Sequence, residues 1–160
     1  MTKGKTNFFV ILDNIRSKQN VGSIFRTAEC VGISKIFLCG TTPIPIDKFG
    51  REVSEIAKTA LGAEKTVAWE YVKSTAKAIK ILKKYAYHII AIEQAKNAID
   101  YKKIKITKDT AFVLGNEVEG VEKNVLKLCD VIAEIPMQGQ KESLNVSVAT
   151  GVALFRMLNV

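Results

Sequence analysis

Six short apolar runs recur along the chain: FFVIL (8–12), KIFLC (35–39), TVAW (66–69), HIIAI (88–92), AFVLG (111–115) and VIAEI (131–135), with helical spacing between most of them. Strands that alternate with helices are joined by crossover connections. The pattern therefore predicts an α/β fold with a mostly parallel sheet of about six strands and helices on both faces. The first helix is expected to take Asn20 as N-cap, to bury Val21, Ile24, Phe25, Ala28 and Val31, and to stop at Gly32, where a left-handed turn is easy. A second helix is expected over Glu52 to Leu61, closed by Gly62, and a third over the lysine-rich stretch from Lys73. A short helix should follow Gly120, and the last should run from Ser143 to Leu158. With 160 residues, 48% of them hydrophobic, and no repeat, linker or low-complexity tract, the expectation is a single domain, 1–160.

The only apolar run near the N-terminus, NFFVIL, is short and is followed by Asp13 and Arg16, which predicts neither a signal peptide nor a membrane span and points to the cytoplasm. Three scattered cysteines, Cys30, Cys39 and Cys129, lack metal-type spacing and suit a reducing compartment, where they are expected as small buried apolar residues. The single histidine, His88, sits in an apolar run and reads as a core or strand-edge residue, so no metal site is expected. The net charge of +8 is concentrated in residues 73–108, where ten Lys/Arg face two acids. Lys73, Lys77, Lys80 and Lys84 fall within about one sixth of a helical turn of one another, opposite Ala78, Ile79, Ile81 and Leu82. Such a stripe is either a solvated helix face or a grip for a polyanion such as RNA.

Ligands of parallel α/β sheets bind beyond the carboxyl ends of the strands, where loops and helix N-termini converge. Three strands end there in unusual segments: HIIAI runs into Glu93 and Gln94, AFVLG into NEVEG, and VIAEI into PMQGQ. Their backbone N–H and C=O groups can read an adenine edge. Neither a phosphate loop nor a dinucleotide glycine pattern is present, which disfavours ATP and NAD. The segment 135–155, IPMQGQKESLNVSVATGVALF, opens an apolar helix with Ser143, Asn145 and Ser147. Ser143 can cap the helix through the N–H of Val146, leaving Leu144, Val148, Gly151, Val152 and Phe155 on one buried face, but a cap needs one polar residue and not three.

Three blocks, NIRSKQNVGSIFRTAECVGI (14–33), FVLGNEVEGV (112–121) and IPMQGQKESLNVSVATGVALF (135–155), resemble in order the three signature motifs of the SpoU/TrmH family of RNA ribose 2′-O-methyltransferases, within the SPOUT superfamily. KTALGAE (58–64) also resembles a family segment. The resemblance implies an S-adenosylmethionine-dependent enzyme, a homodimer and a C-terminal deep trefoil knot. None of these follows from composition or periodicity.

Carried over by motif position, Arg26, Glu117, Ser143 and Asn145 become the catalytic set and Asn20 a substrate-binding residue. Lys73, Lys77, Lys80 and Lys84 are candidate phosphate contacts. Ile92, Glu93, Leu114, Gly115, Asn116, Ile135, Met137, Ser143 and Leu144 match the cofactor pocket. By spacing alone Arg26 lies roughly 170° from the centre of its helix's apolar face, which describes an ordinary solvated arginine. The resemblance offers this arginine as a general base, but a guanidinium with a pKa above about 12 gives up its proton reluctantly, so the preferred role is to position the phosphate beside the target ribose and stabilise charge. Asn145 and Ser143 fix the ribose or its phosphate, and Glu117 orients Arg26, anchors its loop, or receives N–H groups at the start of the next helix. The expected activity is 2′-O-methylation of RNA, tRNA ahead of rRNA. The alternatives are a non-catalytic RNA-binding protein on the same scaffold and a flavodoxin-like nucleotide binder.

Overall fold

The computed structural model describes residues 5–160. Its centre is a seven-stranded sheet in the order β3-β2-β1-β6-β4-β7-β5, in which every neighbouring pair is parallel. The strands are β1 (Phe8–Asp13), β2 (Lys35–Cys39), β3 (Ala68–Val72), β4 (His88–Ile92), β5 (Ile99–Asp100), β6 (Thr110–Gly115) and β7 (Val131–Glu134). The helices are α1 (Lys18–Val31), α2 (Ser54–Ala60), α3 (Ala63–Thr66), α4 (Thr75–Lys84), α5 (Lys123–Leu126) and α6 (Val146–Leu158). No helix among the described residues is long and apolar enough to cross a membrane.

Alternation along each strand splits the apolar runs between two layers. Val10, Leu12, Ile36, Leu38, Phe112 and Leu114 point to the face covered by α1, α2 and α6. Ile11, Phe37, Ile89, Ala111 and Val113 point to the face covered by α4 and α5. All six residues of β6 are buried, as a central strand covered on both sides requires. The chain lays β1, β2 and β3 outward in one direction and then crosses to β4 beyond β6. The order therefore reverses around β1, β6 and β4, and a crevice opens at their carboxyl ends.

Several expectations are corrected. The sheet has seven strands, because Ile99–Asp100 adds to the edge of β7 as a two-residue strand too short to show a pattern. β3 begins at Ala68, and the earlier residues Ala63–Thr66 form a helical turn. α2 ends with Leu61 in the left-handed conformation, and Gly62 opens α3. α1 is capped by Ser17, whose side chain accepts the N–H of Asn20, so Asn20 lies inside the first turn with its amide free for other work. The stop at Gly32 and the buried face of α1 are as expected.

α6 is capped by Asn145 and not by Ser143: the Asn145 oxygen accepts the N–H groups of Ser147 and Val148. Its buried residues are Val146, Thr150, Ala153, Leu154 and Met157. The face expected inside is turned out, with Leu144 39%, Val148 51%, Val152 36% and Phe155 42% exposed. Thr150 goes inside without penalty because its hydroxyl donates to the Val146 carbonyl at 2.7 Å. Of the cysteines, Cys39 is buried, Cys129 half-buried and Cys30 exposed, contrary to the expectation for Cys30. Burial pushes the Cys39 and Cys129 thiols up to about 12, so neither is a nucleophile at neutral pH. His88 is half-buried at the start of β4, and burial lowers its pKa.

Candidate active site

A cavity of about 610 Å³ lies at the carboxyl ends of β4, β6 and β7. Ile92, Leu114, Ile135, Met137 and Leu144 supply apolar wall, and Glu93, Asn116, Glu117, Ser143 and Asn145 supply polar groups. With Gly115, these are all the residues proposed for the cofactor pocket and three of the four proposed as catalytic. Arg26 and the four stripe lysines do not line it.

The 116–121 loop is held in place from several directions. Asn116 and Gly120 exchange two backbone hydrogen bonds, at 3.1 and 2.9 Å, and the Asn116 side-chain oxygen accepts the N–H groups of Val118 and Glu119. Its amide donates to the Asn14 carbonyl at 2.7 Å, so the side chain of Asn116 builds the loop. Glu93 does similar work, accepting the N–H groups of Val121 at 2.9 Å and of Gln94 at 2.7 Å. A side chain at position 115 would collide with the backbone of Gly120 and Val121, so only glycine lets the loop fold back over the end of β6. Gly120 takes a φ of 69°, and a side chain there would meet the Glu93 carboxylate.

Glu117 reaches from this loop to the start of α1. It accepts the N–H of Arg16 at 3.1 Å, the N–H of Ser17 at 3.0 Å and the side-chain amide of Asn20 at 3.2 Å. The helix whose entrance it serves is thus α1, a hundred residues away in the chain, and Arg26 is not among its partners. Burial raises the Glu117 pKa, but the N–H groups of Ser17 and Arg16, its own N–H and the Asn20 amide outweigh it, and the pKa lies below the ordinary 4.5.

Asn20 then accepts from the Asn145 amide at 3.2 Å, and Asn145 accepts from the Ser147 N–H and hydroxyl at 2.9 and 2.6 Å. The result is a chain of donation that runs from Ser147 to Asn145 to Asn20 to Glu117 across the mouth of the cavity. Each amide uses one of its two N–H bonds in it and keeps one for a ligand. The Ser143 hydroxyl is exposed and makes no hydrogen bond among the described residues.

Asp13 and Asn14 brace the loops around the cavity, a role that sequence reasoning missed. Asp13 is buried at the end of β1, where it accepts from Thr75 and from the Glu122 N–H. Asn14 takes a φ of 53°, accepts the Thr41 N–H at 3.0 Å and presents its carbonyl to Asn116. Their signal was an Asp-Asn pair directly after FFVIL, since these residues favour left-handed turns and local N–H acceptance. Arg26 is exposed on α1, six residues or about 9 Å along the axis from Asn20. Lys77, Lys80 and Lys84 are exposed along α4, whereas Lys73, also exposed, precedes the helix because Ser74 caps it, which corrects the expected helix start at Lys73 and leaves three lysines on the helical stripe. None of the four forms an ion pair among the described residues.

Residues 7–155 match the model of the SpoU rRNA Methylase family. The chain belongs to this family. Among curated SpoU-type relatives it is 28% identical to the tRNA (guanosine(18)-2'-O)-methyltransferase of Aquifex aeolicus (strain VF5), over 97% of this chain and 70% of that protein. It is 32% identical to the 23S rRNA (guanosine-2'-O-)-methyltransferase RlmB of Neisseria meningitidis serogroup B, over 91% of this chain but only 55% of that protein. An AdoMet-bound rRNA methyltransferase from Sinorhizobium meliloti superposes with a TM-score of 0.84 at 27% identity, covering 97% of this chain and 57% of that one. The seven-stranded parallel sheet described above is thus the SpoU methyltransferase fold.

Proposed function

We propose that this SpoU-family chain is an S-adenosylmethionine-dependent RNA methyltransferase that modifies a ribose 2′-hydroxyl, acting in the cytoplasm as a single-domain homodimer, with tRNA ahead of rRNA as substrate. The observation that carries the reading is the Glu117–Asn20–Asn145 chain, which joins all three sequence blocks at one cavity mouth. The naming of relatives for tRNA and 23S rRNA 2′-O-methylation supports RNA as substrate, and the tRNA relative's coverage makes tRNA the first to test.

The residues fit the cofactor. The cavity volume is that of a small-molecule site. Among the described residues no backbone hydrogen bond engages residues 136–143, so this wall offers free N–H and C=O groups to a purine edge. The passage of that segment from β7 past the 116–121 loop to α6 is the path along which the knot implied by the resemblance would form. Bound there, S-adenosylmethionine supplies an electrophilic methyl group on a sulfonium. The chain's own residues hold the acceptor: Ser143 offers a free hydroxyl, and Asn20 and Asn145 offer their remaining N–H bonds to ribose or phosphate oxygens. Orientation of this kind is worth up to roughly 7–11 kcal/mol in well-arranged model reactions.

A second copy of the chain supplies what one copy leaves open. Val148, Val152 and Phe155 form an exposed apolar stripe on the outside of α6, and Thr27 packs against Gly151 beside it. Arg26 precedes Thr27 on the adjoining exposed face of α1, so a chain docked on the stripe encloses the guanidinium and brings it to a substrate phosphate. The stripe lysines extend the basic surface for RNA. Incubation of purified protein with labelled S-adenosylmethionine and unmodified tRNA or rRNA tests the proposal, with 2′-O-methyl nucleotides as the expected product. Salt-sensitive RNA binding without cofactor binding or label transfer would favour the non-catalytic alternative.

A further inference from the structure

The loop between β2 and α2 leaves the carboxyl end of its strand and turns sharply at residues 47–51. Asp47 holds the turn: its carboxylate accepts the N–H of Phe49 at 2.8 Å, the N–H of Arg51 at 2.9 Å and the Arg51 guanidinium at 2.9 Å. The Asp47 N–H donates to the Arg51 carbonyl at 2.8 Å, and the Val53 N–H to the Pro45 carbonyl at 2.9 Å. Ile44 and Val53 seat the base of the loop against the core. This rigid support presents Phe49 to solvent with 68% of its surface exposed. The Lys48 ammonium and the Arg51 guanidinium stand 5.0 and 4.9 Å from the centre of its ring.

Two acids nearby are already matched, Asp47 with Arg51 and Glu52 with Lys65 at 3.0 Å, while Lys48 has no ion-pair partner among the described residues. The loop also stands on the cavity's side of the molecule. Glu55, in the first turn of α2, meets Lys18 at 3.5 Å in the first turn of α1, and Asn20 in that same turn joins the Glu117 chain. An aromatic ring flanked by cations, held stiff beside the site, is the arrangement that stacks an unpaired base and grips the phosphates on either side of it.

We propose that the 44–53 loop is an RNA contact in which Phe49 stacks on an unpaired base of the substrate and Lys48 and Arg51 hold the adjoining phosphates. This rests on the reading of the chain as an RNA methyltransferase. A protein partner would be met by burial of the ring in apolar surface, with no use for two cations over the ring, whereas phosphates on either side of a stacked base draw both cations off it.

The test is fluorescence anisotropy of the full chain with a labelled single-stranded oligouridine and with an unmodified tRNA transcript. Phe49→Ala should weaken binding to both about tenfold, the usual consequence of losing one stacked base. Phe49→Trp should restore binding and Phe49→Leu should not, while the thermal midpoint stays at the wild-type value in all three because the ring is exposed. Lys48→Ala should make the salt dependence of binding shallower by about one phosphate contact. Wild-type affinity in Phe49→Ala, rescue by leucine as complete as by tryptophan, or a change in self-association with RNA affinity intact would each overturn the proposal. A wild-type chain that binds neither RNA would overturn the methyltransferase reading along with it, whereas intact RNA binding that ignores position 49 would sink the loop alone.

Discussion

α1 and α6 lie side by side on one face of the sheet and both begin at the cavity, yet they use their apolar residues in opposite ways. α1 buries the face that its spacing marks out, and its outer side is polar. α6 buries Val146, Thr150, Ala153, Leu154 and Met157 and shows a second apolar stripe to solvent. An amphipathic helix states its orientation in sequence, whereas a helix that is apolar nearly all round needs neighbours on both sides. The difference marks α1 as a member of the chain's own core, whereas the outer stripe of α6 is the surface proposed above for a second copy of the chain.

The largest contrast should appear in stability. Phe25 is fully buried in α1, and Phe25→Ala should cost about 3–5 kcal/mol in denaturant unfolding. Val148→Ala on the outer stripe should leave the unfolding of the dilute chain nearly unchanged while weakening self-association measured by light scattering. An equal loss from both would mean that the stripe is core, and the contrast would be broken. Next comes Arg26→Ala, which should lower turnover about 10²–10³-fold, or roughly 3–4 kcal/mol, by analogy with the removal of a charge-stabilising donor. Cofactor affinity measured by calorimetry should hardly change, and full activity would remove Arg26 from the mechanism.

A smaller effect should separate the two duties of Asn145. Asn145→Ala loses the α6 cap at a cost of about 1 kcal/mol, along with the amide held by Asn20. Asn145→Asp keeps an oxygen for the cap and lacks the amide, so stability should recover and methyl transfer should not. Smaller again is the pH response of the α1 entrance. The folded pKa of Glu117 is depressed below 4.5, so its stabilisation is complete above that value and is lost as pH falls through the folded pKa. Glu117→Gln should flatten acid unfolding in that window, and an unchanged acid limb would show that the carboxylate bonds contribute nothing. Smallest should be the lysines on and just before α4: neutralising Lys73, Lys77, Lys80 and Lys84 together should make the salt dependence of RNA binding shallower by up to about three units of slope. An identical slope would make them ordinary solvated surface.

Much of the architecture was legible in short windows. β2 and β4 fall on the apolar runs as read, and α1 ends at Gly32, because burial on both faces and a left-handed stop each leave a local mark. Helix entrances were harder. Asn20 and Ser143 looked like caps, since any short polar residue ahead of an apolar stretch has the right chemistry, but Ser17 and Asn145 hold those places. The displaced Asn20 is the more informative for it: freed from capping, its amide joins Glu117 to Asn145. Asp13 and Asn14 escaped notice because their partners, Thr75, Thr41, Asn116 and Glu122, are scattered over the chain.

By itself the sequence determined the parallel α/β class and the end of the sheet where the cavity lies, and its three ordered blocks, together with Ile92 and Glu93, named about half of the residues that line that cavity. Only the tertiary structure decided which face of α6 turns inward, which polar residues cap and which remain available, and that Glu117 serves the entrance of α1. The reason is one of range. Periodicity and turn chemistry act over a few residues, whereas the bonds that assemble the site join positions 97 and 125 residues apart and exist only once the sheet has brought its strand ends together.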